Sequence, residues 1–314
     1  MKSRSILLFA ILLLPLLSST GQSPVLQFNP LQGNEYRLLV STSQEVTQVM
    51  MGNTQTITST LVNRYRFRVS GEVNGILVME VKYDSIALKT VMPDGMIEGS
   101  TGDYSRKNAV LSKVLREILK SSLRIKVSRL GEVVAVTGLD TTFLSVVDSF
   151  TNMPEQVRTL LRTALQEKFG MESLRYQLNA AFAIYPAKSP KHGKWGNEVK
   201  LGPDDPARAE NEWTIIEEQP GNSQLKLEGR IGPPEGNDFI QVNGIPMKYV
   251  LNGTQSGEIT LATASGWPLK GTVSQSIKGT VQLKGTPAMT AGISWPISIE
   301  SRIAYEGGIL PLHD

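Results

Sequence analysis

The chain has 314 residues, of which 40% are hydrophobic and 19% charged, and its formal net charge is +3. This balance is typical of a chain that folds around an apolar core, and it excludes intrinsic disorder. The small net charge gives no reason to expect nucleic acid as a partner, and a chain without cysteine has no disulfide bonds.

The N-terminus has the pattern of a secretory signal peptide. Lys2 and Arg4 precede an apolar run from Ile6 to Leu17, and small residues follow as far as Gly21. That order matches an export signal, and the run is too short for a comfortable membrane span. We therefore expect residues 1–21 to be removed. The mature protein is then expected to be periplasmic or extracellular, soluble, not membrane-spanning, and without a lipid anchor.

Residues 34 to about 100 have the pattern of an antiparallel meander. Tyr65, Phe67 and Val69 alternate with arginines, which is the period of a strand with one buried face. Asn74-Gly75 is the strongest hairpin signal, because both residues accept the positive φ of a tight turn.

The middle of the chain changes to a helical period, in which apolar residues recur on one helix face. The elements predicted there are a helix over 110–119, strands over 123–127 and 133–136, a short helix capped by Asp140 and ending near 150, a helix over 154–170, and a helix over 174–184.

Proline, glycine and lysine are frequent over residues 186–211, which predicts a loop or hinge. Beyond it the period of two returns. The predicted strands begin near 213 and 225 and continue at 247–252, 257–263, 268–276, 278–284 and 293–305.

The order of strands, helices and strands predicts an α+β fold, with one or two large curved antiparallel sheets covered on one face by the central helices. The expected organisation is a signal peptide over 1–21, a meander and helical segment over 22–185, a loop over 186–211, and C-terminal strands over 212–314. We expect the C-terminal strands to form one continuous domain with residues 22–185.

Three segments resemble DUF6263, an exported bacterial family of unknown function. The matching residues are Gly257 to Leu261 followed by Ser265-Gly266-Trp267-Pro268, the hairpin from Ser128 to Gly138, and Pro186, Gly193 and Trp195. The aspartate of the third motif is missing, since Lys194 lies directly between Gly193 and Trp195. The resemblance implies no activity, because none is established for the family. The overall pattern is also similar to periplasmic carriers of the LolA type, and this implies a half-barrel that holds lipid tails.

The motifs of common catalytic sites are missing. His192 and His313 are the only histidines, and no G-x-S-x-G elbow accompanies them. Two distant histidines without cysteine do not make a zinc site, and the acidic residues around 204–212 are read as a solvated loop. We therefore expect no catalytic residue, no metal and no cofactor. A hydrolase whose carboxylates meet only in the fold stays open as an alternative.

The candidate ligand-binding residues are Trp195, Trp213, Trp267 and Trp295. Tryptophan has a broad apolar face and one hydrogen-bond donor, which suits the rim of a pocket, and packing in a core is the alternative. The leading hypothesis is a non-catalytic envelope protein that binds an apolar or lipid-like ligand between helices and sheet. A structural or interaction module with a filled core, working with an envelope protein partner, is the second hypothesis. Whether the helices fill or gate the sheet concavity decides between them.

Overall fold

The computed structural model describes residues 26–104, 109–139, 142–202, 207–234, 236, 238–242, 245–285 and 292–310. The predicted signal peptide, Asp140 and His313 lie outside the described residues. The strands are β1 (Glu35–Met50), β2 (Asn53–Val73), β3 (Ile76–Met92), β4 (Gly95–Ser100), β5 (Leu123–Val127), β6 (Val133–Thr137), β7 (Lys194–Lys200), β8 (Arg208–Gln219), β9 (Asn222–Gly232), β10 (Ile240–Val242), β11 (Ile245–Ala262), β12 (Pro268–Leu283) and β13 (Ile293–Leu310). The helices are α1 (Ala109–Ile118), α2 (Thr142–Asp148), α3 (Glu155–Phe169) and α4 (Met171–Phe182).

These strands form one curved antiparallel sheet. Its order is β6-β5-β3-β2-β1-β13-β12-β11-β9-β8-β7, with β4 paired to β3 and β10 paired to β11. The two strand blocks of the sequence join where β1 pairs with β13, from Glu35 opposite Leu310 to Gln48 opposite Ile297. The predicted α+β fold, a large curved antiparallel sheet with helices on one face, is confirmed.

Local sequence explains the first hairpins. β2 buries Tyr65, Phe67 and Val69 and exposes the arginines between them, so one face of the sheet meets the core. Asn74 and Gly75 have φ values of 52° and 78°, the left-handed pair that a two-residue hairpin requires, and the predicted turn is confirmed there.

The helices pack on one face of the sheet, and α4 shows that this face is concave. The side-chain Oδ1 of Asn179 on α4 accepts a hydrogen bond from the backbone N–H of Val133 on β6, at 2.7 Å. Asn197 on β7 donates its Nδ2 to the carbonyl of Ala183, directly after α4. Because β6 and β7 are the two edges of the sheet, the sheet curves until both edges reach one helix. Among the described residues, no helix is both long enough and apolar enough to cross a membrane.

Two predictions about the second half are wrong. The segment 186–211 is not a continuous loop, because β7 occupies Lys194–Lys200 and β8 begins at Arg208. The two strands predicted over 247–263 are one strand, β11, and those over 268–284 are also one, β12. Glycines inside these strands do not form turns but allow the backbones of neighbouring strands to approach closely. A Cβ at Gly279 would lie 1.9 Å from the carbonyl oxygen of Val250.

Candidate functional site

A row of uncharged polar side chains crosses the concave face from strand to strand. In register order the row consists of Thr90, Ser59, Gln44, Ser301, Gln275, Gln255, Asn211 and Asn197, with Gly229 of β9 between Gln255 and Asn211. We call this row the polar belt.

Hydrogen bonds join the neighbouring amides of the polar belt. Gln275 Nε2 donates to Gln255 Oε1 at 2.9 Å, Gln255 Nε2 donates to Asn211 Oδ1, and Asn211 Nδ2 donates to Asn197 Oδ1 at 3.1 Å. Gln255 and Asn211 are buried, and buried amides need such partners. Gly229 leaves room for the network, since a Cβ there would lie 2.5 Å from Asn211 Oδ1.

On one side of the polar belt the concave face is filled by the helices. Trp267 is fully buried at its centre, and its ring centroid lies 4.6 Å from that of Tyr36, 5.1 Å from Phe67 and 5.2 Å from Phe182 of α4. The space between α4 and the sheet beside the belt is only about 30 Å³. The helices therefore fill this half of the concavity rather than gate it, and no acyl chain fits there.

On the other side of the polar belt the concave face is apolar again. The next row in register is Val199, Ala209, Ile231, Gly253, Ile277, Ile299, Val46 and Ile57, followed by Leu251 and Ile297, and then by Tyr249, Val281 and Trp295. We call these residues the distal apolar surface. Four of its buried members form an apolar cluster separate from the main core: Ala209, Ile231, Leu251 and Ile277. Val46, Ile57, Ile297 and Ile299 are only half-buried, so the surface keeps apolar area in contact with solvent.

The C-terminal end of α3 approaches the distal apolar surface at Tyr249. Partial burial raises the pKa of the Tyr249 phenol, and the negative charge of Glu167 on α3 raises it further. Most of α3 is otherwise poorly covered, and Val157 near its start is 46% exposed. The C-terminal part of α3 is nevertheless anchored in the main core by Leu165 and Phe169, together with α4.

A second opening lies where the two sheet edges meet α4. It has a volume of about 360 Å³ and is lined by polar and charged side chains such as Glu132, Arg175, Asn179 and Lys200. The guanidinium of Arg175 donates to Glu172 at 2.6 Å and lies over the Tyr176 ring. Such a lining suits a small polar molecule rather than an acyl chain.

The four tryptophans do not form one site. Trp195 and Trp213 face each other across β7 and β8, and both are tied into the fold: Trp195 Nε1 donates to the Ile184 carbonyl, and Trp213 Nε1 to Asn197 Oδ1, each at 3.0 Å. Trp267 lies in the filled half and donates Nε1 to the Arg37 carbonyl at 3.1 Å. Trp295 alone belongs to the distal apolar surface. As ligand-binding residues all four stay predictions.

The described residues assemble no group of carboxylates and histidines that could hold a metal ion. No three or more His, Cys, Asp or Glu side chains come together within the described part of the chain. His192 is exposed in the turn before β7, and Asp204 and Asp205 lie outside the described residues. The hydrolase alternative stays a prediction.

The sequence analysis missed the polar belt, although each strand carries its signal. In β12 and β13 a single polar residue interrupts the apolar phase, as Gln275 does between Val273 and Ile277. One such residue in one strand is ordinary. The row becomes visible only when the strand register aligns these interruptions.

The architecture of this protein is a curved antiparallel sheet with helices that fill half of its concave face. The chain belongs to the family of unknown function DUF6263, whose model matches residues 74–268. No curated protein sequence matches it.

Solved structures similar to the chain are distant in sequence. One is lipovitellin, in a structure described for its lipid–protein interactions, with 10% identity and a TM-score of 0.45. It covers 90% of this chain, which spans only 26% of the lipovitellin chain. Another is an outer membrane channel from Pseudomonas putida F1, with 7% identity, a TM-score of 0.25, and coverage of 90% of this chain and 98% of the channel.

Proposed function

We propose that this protein is an exported, non-catalytic protein of the cell envelope that binds an apolar or lipid-like ligand on the distal apolar surface. The observation that carries the proposal is the position of that surface. It lies on the concave face, beyond the polar belt, and several of its aliphatic side chains are only half-buried.

The physical reason for an apolar ligand is the free energy of covering this area. Each buried methylene of a ligand contributes about 0.8 kcal/mol, so an acyl chain gains several kcal/mol by lying against these isoleucines and valines. The bonded amides of the polar belt separate this region from the main core, where the packing of Trp267 leaves no room. The ligand therefore stays on the distal side of the belt.

The direct test is native mass spectrometry of the protein purified from the envelope of its own host, with solvent extraction of whatever is bound. We expect an added mass of lipid size that is lost on unfolding. A clean unliganded mass in repeated preparations would contradict the proposal and shift attention to a protein partner, to be sought by cross-linking.

A pair of variants on one strand locates the site. Ile299→Asp places a charge on the distal apolar surface, and Ser298→Asp places the same charge one residue away on the opposite face of β13. We expect the first variant to lose the bound lipid and the second to keep it. Equal retention by the two variants would show that the ligand binds elsewhere.

The second candidate function is a protein-interaction module, and the filled core around Trp267 favours it. The edge strand β6 gives this function a surface, because Val134 is 43% exposed there. A protein that yields no lipid but cross-links through β6 to an envelope protein would fit this function.

A further inference from the structure

The indole N–H of Trp295 differs from those of the other three tryptophans. Trp195, Trp213 and Trp267 each donate to a carbonyl or amide oxygen of the fold. Trp295 is only 7% exposed, and its Nε1 is buried with no hydrogen-bond partner in the described structure. Buried indole donors usually find an acceptor, so this unpaired donor indicates a group that the described residues do not supply.

The surroundings of Trp295 are apolar except for the hydroxyl of Tyr249. Val281 is its register partner on β12, and Tyr249 lies opposite Val281 on β11, so the three residues form the last row of the distal apolar surface. The Tyr249 hydroxyl donates to the Met247 sulfur at 3.8 Å, and a thioether is a weak acceptor. Two aromatic side chains with poorly matched polar tips therefore lie in the row of the distal apolar surface farthest from the polar belt.

We infer that Trp295 Nε1 donates to the polar end of the bound molecule, which must therefore carry a hydrogen-bond acceptor, as the carboxylate or ester carbonyl of an acyl lipid does. The inference rests on the proposed function and specifies its ligand class. The acyl chain runs from Trp295 across Ile297 to Ile299, a path of four residues and about 13 Å at the rise of a strand. Its far end stops at Ser301 in the polar belt.

The test compares probes that share a chain and differ at the head. Dodecanoate and methyl dodecanoate carry an acceptor, whereas dodecylammonium has the same chain and donors only. We expect the full protein, freed of endogenous lipid, to bind both acceptor-bearing probes more tightly than the amine. Trp295→Phe keeps a smaller aromatic ring and loses the donor, so dodecanoate binding weakens about tenfold while amine binding changes much less. Trp195→Phe is the matched control, because its indole already has a partner in the fold.

A second measurement uses the unmodified protein and does not depend on how the variant folds. Indole N–H resonances of the four tryptophans are recorded by 15N NMR with and without each probe. One resonance, assigned by its loss in Trp295→Phe or by its contact with the probe chain, moves downfield with dodecanoate and not with dodecylammonium.

The outcomes separate the inference from the proposed function. If all three probes bind equally and no indole resonance responds to the head group, the inference is wrong, and the apolar surface still stands as the site. If no probe binds to the delipidated protein at all, the proposed function fails and the inference fails with it.

Discussion

The polar belt makes a quantitative prediction at Gln255. Its Nε2 donates to Asn211 Oδ1 and its Oε1 accepts from Gln275 Nε2, and the side chain is buried. Gln255→Leu has nearly the same volume and removes both hydrogen bonds. The polar groups of Asn211 and Gln275 that lose their partner cost about 3 kcal/mol, and burial of the more apolar leucine side chain stabilises by about 1 kcal/mol. We therefore expect the free energy of unfolding to fall by about 2 kcal/mol.

Urea unfolding followed by far-ultraviolet circular dichroism measures this loss. Gln44→Leu is the control farther along the belt, where the side chain is half-buried and makes one hydrogen bond to Ser301, at 3.3 Å. Its expected cost is below about 1 kcal/mol. If Gln255→Leu proved no less stable than Gln44→Leu, the belt would not be the bonded network described above.

Three further changes test other parts of the fold. Gly229→Ala drives a Cβ into Asn211 Oδ1 and should cost about 1–3 kcal/mol, whereas Gly232→Ala, with open space around it, should be nearly neutral in the same urea assay. Gly75→Ala forces alanine into a φ of 78° and should lower stability by about 1 kcal/mol, and an unchanged urea midpoint would contradict the turn geometry. Burial raises the pKa of the Tyr83 and Tyr185 phenols above the usual 10, so the unfolded state loses these protons first. The contribution of these tyrosines to stability is then constant below about pH 9 and falls above about pH 10, and urea midpoints measured from pH 8 to 11 check this.

Short-range patterns predicted the elements well where their cause is local. The helix predicted over 110–119 is α1, and the strand over 123–127 is β5 with its predicted ends. The alternation in β2 and the helical period of α1 each arise because one face of the element is buried in the core. Such a period is visible in the sequence without knowledge of the neighbouring elements.

Local patterns gave wrong predictions where pairing with a neighbouring strand determined the conformation of a segment. The prolines and glycines around 186–211 predicted a loop, but the seven residues of β7 pair with β8, and Trp195 and Val199 face inward. Gly253 lay in a predicted break between two strands, whereas β11 is continuous there and the glycine allows the adjacent backbones to approach. Strand pairing, which the sequence does not display, decided both cases.

The candidate site shows the same division. The sequence analysis selected four tryptophans for the chemistry of the indole, and that chemistry is the same in all four. The sheet then separated them, with three indole donors satisfied inside the fold and Trp295 left unpaired on the distal apolar surface.

By itself, the amino-acid sequence determined the strand and helix periods, the hairpin at Asn74 and the family to which the chain belongs. These are properties of neighbouring residues along the chain, so they survive without knowledge of the fold. Only the tertiary structure decided that β1 meets β13, that helices fill one half of the concavity, and that single polar residues from distant strands align as a belt. Those outcomes depend on register between segments as far apart as Gln44 and Ser301, where hydrogen bonds and packing across strands, not local propensity, fix which side chains meet.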